Sequence, residues 1–159
     1  MSLEHAVASA SGLRDLLARE VDRARAERKL LCRLDVPGLF TRAAERAAFV
    51  AEAQRLEREL AAQLARSAHE LTLREVTLDA IRASAPEAGG RLAELLREVR
   101  ELAGALSDLD RTNHGLASRA LACVRGHVEA LAPAPSAYDR RGGRASSVAG
   151  AFAMVSSKG

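Results

Sequence analysis

The sequence predicts an all-α protein: an elongated antiparallel helical bundle or coiled-coil hairpin, with a long C-terminal helix and then a flexible tail. Three observations carry this expectation. Aromatic residues are 3% of the 159, with no Trp, so Leu, Ala and Val must do the packing; these fill narrow helix–helix seams better than a thick core. Apolar residues recur three and four positions apart through most of the first 131 residues, the period of a helix with one buried stripe. Charged residues make up 28% and are interleaved by sign, as on the solvated faces of long helices.

The first helix is expected over about residues 3–34. Leu13, Leu16, Leu17, Val21 and Ala24 form its stripe, and Leu30, Leu31 and Leu34 resume it after the polar run DRARAERK. The segment LDVPGLF breaks the pattern. Asp35 is a good N-cap, and Pro37 suits a first helical turn but not a helix interior. A second helix follows over about 37–70, through Phe40, Ala43, Ala47, Val50, Leu56, Leu60 and Leu64. Its alanine-rich first half would admit a close neighbouring backbone.

In ELTLREVTLDAI, Thr72 and Glu75 have capping-box spacing, and Leu71 with Val76 has that of a hydrophobic staple. A short helix is therefore expected over 73–84, and SAPEAGG should turn through Pro86, Gly89 and Gly90. The last helix is expected over 91–131, roughly 60 Å at 1.5 Å per residue. Its seam runs Leu92, Leu95, Val99, Leu102, Leu106, Leu109, then Asn113, Leu116 and Ala120. There it slips by one residue to Leu121, Val124, Val128 and Leu131, a coiled-coil seam relaxing toward a straight helix. Asn113 interrupts the seam as a polar residue that fixes register or meets a partner helix. Gly104, Gly115 and Gly126 stand 11 apart on nearly one face. Each costs about 1 kcal/mol relative to Ala, which would keep the helix marginal until something packs on it.

Charge is distributed unevenly. Residues 1–131 hold 20 basic and 20 acidic side chains, so the whole net +3 sits in the tail, on Arg140, Arg141, Arg144 and Lys158 against Asp139. A neutral body is a poor footprint for nucleic acid. The N-terminus has no signal-peptide core, no stretch approaches the roughly 20 apolar residues of a membrane span, and Cys32 and Cys123 stand alone; the expectation is a cytosolic chain.

No catalytic, cofactor or metal residue is assigned. Cys123 and His127 lie one turn apart with His114 further back, but zinc draws three or four ligands from more than one element. Neither cysteine sits in a loop with a nearby base. The carboxylates alternate with Arg, as in Asp15–Arg19, Arg55–Glu59 and Asp108–Arg111, and no glycine-rich phosphate loop follows a strand.

The order of these features resembles the FlgN-type flagellar export chaperones. LRDLLARE is similar to that family's first helix, RLERELAAQLA to its second, and LTLREVTLDAI with SAPEAGGRLAELLREVRELAGAL to its middle segment and the start of its long helix. LSDLDRTNHGLASRALACVRGHVEAL resembles the stretch where the family places two asparagines three apart, followed by Leu. Asn113 and Leu116 match it, whereas Asp110 replaces the first asparagine. Tyr138 before Gly142 and Gly143 resembles the family's Tyr-then-Gly segment.

The resemblance implies a chaperone that binds the C-terminal helical end of hook-associated proteins of the FlgK and FlgL type, keeps them soluble and delivers them to an FlhA-like export-gate component. The partner-binding residues implied are Asn113, Leu116, Leu121, Val124, Val128 and Leu131 for cargo, with Asn113 setting register, and Tyr138 for the gate. A helix in such a groove is read through anchors at helical spacing. The expected organisation is a bundle over 1–131 and a flexible basic tail over 132–159, in which Val148, Phe152 and Val155 share helical spacing. A homodimer is compatible with the seam. The alternative reading is a generic coiled-coil scaffold, and a third a nucleic-acid binder working through the Arg-rich tail.

Overall fold

The computed structural model describes residues 2–131 apart from 74 and 76. They form four helices, α1 (Ser2–Arg33), α2 (Val36–Glu70), α3 (Leu78–Ser84) and α4 (Pro86–Leu131), with no strand among the described residues. The fold is all-α. The chain divides into a unit Met1–Ala122 and a second unit Cys123–Gly159, whose described part is the last turns of α4. The expected tail 132–159, with Tyr138, lies outside the described residues.

Helix α1 ends where predicted, by a backbone device. Leu34 adopts a left-handed φ of 52°, its N–H donates to Leu31 O at 3.3 Å, and Asp35 N–H reaches Leu30 O at 3.0 Å. This pair of bonds closes the last orphan carbonyls in a Schellman motif. Asp35 then caps α2, accepting from Gly38 N–H at 3.0 Å, with Pro37 in the first turn.

The first unit is an up–down–up arrangement of α1, α2 and α4. Ser2 Oγ donates to Glu70 at 2.5 Å, and Glu20 meets Arg42, so α1 and α2 are antiparallel. Arg14 meets Glu98 at 3.3 Å and Asn113 meets Ala24, so α4 runs parallel to α1. One apolar cluster joins Leu13, Leu16, Leu17, Val21, Phe49, Leu56 and Leu106, with Val99, Leu102 and Leu109 packed on it. A second gathers Leu3, Val7, Leu60, Ile81 and Leu92 around α3.

Three expectations are corrected. The helix after ELTL starts at Leu78, not 73, because Thr72 is taken by the end of α2. With φ 54° it forms another Schellman motif, in which Thr72 N–H reaches His69 O and Leu73 N–H reaches Ala68 O. Thr77 caps α3 instead, its hydroxyl accepting from Ala80 N–H at 3.2 Å. Pro86, Gly89 and Gly90 do not form a turn; Pro86 opens α4, and a Cβ at Gly89 would lie 2.7 Å from Arg82 Cα. Glycine is there so that α3 and α4 can approach.

The third correction concerns α2. Phe40, Ala43, Ala47 and Val50 face solvent, with Phe40 75% exposed. The buried stripe is Arg42, Phe49, Leu56 and Leu60, with Arg46 and Ala53 half-buried in the same line.

Candidate partner-binding surface

Toward the α1–α2 turn the apolar interior gives way to charge. Glu20 is 0% exposed and lies on α1 between Leu17 and Ala24. It accepts from Arg42 Nη2 at 2.5 Å and Arg46 Nη1 at 2.8 Å. Arg42, 6% exposed, also donates to Glu27 at 3.1 Å, and Arg46 donates to Asp110 on α4. Burial opposes the Arg46 charge, but its hydrogen bonds to Glu20 and Asp110 outweigh that and raise its pKa above the ordinary value. Its guanidinium carbon also stands 5.3 Å from the Phe49 ring centre.

Asn113 adds the next polar contact. It is 4% exposed, and its Nδ2 donates to Ala24 O at 2.8 Å across the α1–α4 seam. Ala24 is fully buried and small enough to admit the amide. The bond fixes α4 against α1 in one register. Asn113 Oδ1 and Arg42 Nη1 are buried without a hydrogen-bond partner in the structure.

That register shows where the seam loses its partner. With Asn113 opposite Ala24, Ala120 falls opposite Leu31, two residues before α1 ends. Leu116 and Ala120 are half-buried and Leu121 is exposed. In the second unit Val124, Val128 and Leu131 are exposed as well, Val128 at 63% and Leu131 at 83%, on one face at i, i+4 and i+7. At the slip the apolar residues pass from half-buried, at Leu116 and Ala120, to exposed, at Leu121 and Val124.

The sequence reading missed Glu20, Arg42 and Arg46. The signal was present: counting back from Leu60 through Leu56, Ala53 and Phe49 in steps of three and four lands on Arg46 and Arg42. Asp110, the departure from the family's paired asparagines, is spent on Arg46. Among the expected surface pairs, Arg55–Glu59 and Asp108–Arg111 form, while Asp15 pairs with Arg14.

Both cysteines are free and exposed; Cys123 Sγ lies 3.8 Å from His127 Nδ1. The described residues hold no group of three or more His, Cys, Asp or Glu placed to share a metal ion. No described helix is long and apolar enough to cross a membrane.

A protein-family model, FlgN protein, matches residues 1–146 of the chain. The chain belongs to the FlgN family. Neither the curated proteins nor the solved structures contain a match. FlgN proteins are a chaperone family and not an enzyme family, so membership supports a role in flagellar export. The match extends past α4 and takes in Tyr138.

Proposed function

We propose that this FlgN-family chain escorts hook-associated proteins of the FlgK and FlgL type, binding their C-terminal helical region and delivering it to an FlhA-like component of the export gate in the cytoplasm. The observation that carries the reading is exposed apolar surface late in α4: Leu121 at the end of the first unit, and Val124, Val128 and Leu131 at i, i+4 and i+7 in the second. An amphipathic cargo helix laid on it would bury those anchors. Leu116 borders that face, and Asn113 acts from within by holding α4 in register on α1. Cargo that folds as it binds gives up affinity to ordering, which suits later release.

The test is size-exclusion chromatography of the purified chain mixed with each hook-associated protein. A stable complex is expected with the intact chain, and its loss with Val124→Asp/Val128→Asp. No complex with any of them would end the cargo reading. Tyr138 is assigned to the gate: its side chain offers a large contact area at low entropic cost beside the chain's net positive segment. Tyr138→Ala is expected to keep helicity and cargo binding while impairing export. Unchanged export would remove that assignment.

A further inference from the structure

The outward stripe of α2 is one wall of a groove. Val36, Ala43 and Val50 are seven residues apart, so they lie in a line along α2, and all three are exposed. The Arg46–Asp110 pair fixes the antiparallel level of α2 and α4 and places Ala117 and Leu121 on the facing wall. Arg46 and Asp110 bridge the groove as its floor. A cleft of about 210 Å³ opens there, lined by Glu27, Leu39, Arg42, Ala43, Arg46 and Asp110. At the same register Glu57 and Arg100, both exposed, bound the far end. Between Val36 and Val50 the groove runs roughly 21 Å, four turns of a docked helix.

Two features select the occupant. Residues 22–47 and 109–122, which build this end of the unit, carry nine Arg or Lys against five Asp or Glu. Residues 2–21 and 48–108 carry ten against fourteen. An acidic segment is drawn to the groove end and repelled by the other. The two cleft arginines are already paired, Arg42 with Glu20 and Glu27 and Arg46 with Glu20 and Asp110, so the attraction comes from the excess of basic side chains around the groove end. The small Ala43 rim lets the incoming helix approach closely.

We propose that the groove between α2 and α4 in the first unit docks one acidic amphipathic helix of a protein partner, with Leu121 on its α4 wall. The inference rests on the cargo reading and extends it to α2, with Val36, Ala43 and Val50 as anchoring positions. The experiment titrates the C-terminal helical fragment of a hook-associated protein onto the full chain, using Ala43→Arg, Leu121→Arg and, on the outward side of α2 away from the groove, Ala51→Arg. Circular dichroism confirms that each variant is folded. Ala43→Arg should weaken binding by about tenfold or more, and Ala51→Arg by less than about twofold. Replacing the fragment's Asp and Glu by Asn and Gln should weaken it too.

Wild-type-like binding by Ala43→Arg, with Leu121→Arg impaired, overturns the groove and leaves the cargo reading standing. Failure of the wild-type chain to bind ends the cargo reading and this inference together. A fragment indifferent to loss of its acids overturns the choice of partner. If Ala43→Arg abolishes self-association in sedimentation while sparing the fragment, the groove holds a second copy, and the proposal is wrong.

Discussion

Glu20 holds the polar interior together. A carboxylate with no exposure is expensive to desolvate, and only close guanidinium partners offset that cost. Arg42 and Arg46 supply them from α2, and Arg46 passes the connection to Asp110 on α4. Three helices therefore meet on one acid. Removing it leaves Arg42 nine-tenths buried with Glu27 and Glu45 as its remaining partners. Glu20→Ala should destabilise the chain by about 3 kcal/mol, whereas Glu20→Leu with Arg42→Met should recover most of the loss, because well-packed apolar replacements of buried ion pairs are often neutral. Urea unfolding of the two variants checks this. A single variant as stable as wild type would show that the network contributes nothing net. Its gain is then specificity: charge at this level admits one pairing of α2 with α1, where the alternative stripe through Phe40 and Val50 would have offered a second.

Helix α4 combines a long stripe with three glycines that pack against nothing. A Cβ built at Gly104, Gly115 or Gly126 meets no atom within 4 Å outside its own helical turn. Close approach, which explains Gly89, does not explain these three. Each alanine replacement should therefore stabilise the helix by about 1 kcal/mol. Hydrogen exchange on the free wild-type chain should show weak protection over residues 104–131, rising in the Gly104→Ala/Gly126→Ala variant. Uniform strong protection in the wild type would contradict a marginal helix. The elements were legible to differing degrees for physical reasons. The long stripes of α1 and α4 and the Asp35–Pro37 start of α2 depend on local pattern, and they stand where the sequence put them. The α3 start does not, because two threonines compete and the left-handed Thr72 belongs to the preceding helix end. Pro86 reads as a breaker and serves as a first-turn residue. The α2 face was misread because a stripe interrupted by two arginines appears solvated until Glu20 is found opposite it. For the candidate surface, periodicity alone located the slip after Ala120, whereas exposure of the α2 wall required the packed bundle.

At the scale of the whole chain, residues 1–131 are neutral in sum, and within the first unit opposite charges are sorted toward different ends. That balance depends on ionised carboxylates, and several are held ionised by specific bonds. The hydrogen bond from Ser2 lowers the Glu70 pKa, and hydrogen bonds from Arg55 and Arg97 lower those of Glu52 and Glu94. A carboxylate with a depressed folded pKa stabilises the fold fully above its unfolded value, about 4.3 for Glu, and loses that contribution as pH falls through the folded value. The urea midpoint should hence be flat from pH 7 to about pH 5 and fall below about pH 4. These groups are exposed, so each contribution is modest and screened by salt. Repulsion adds to the decline, because protonating the acids leaves 24 basic residues uncompensated. Loosening is expected first where Glu70 ties α2 to the start of α1, and Glu70→Gln should remove part of the acid slope. A midpoint that rises on acidification, or an unchanged slope in Glu70→Gln, would show that these bonds do not couple protons to folding.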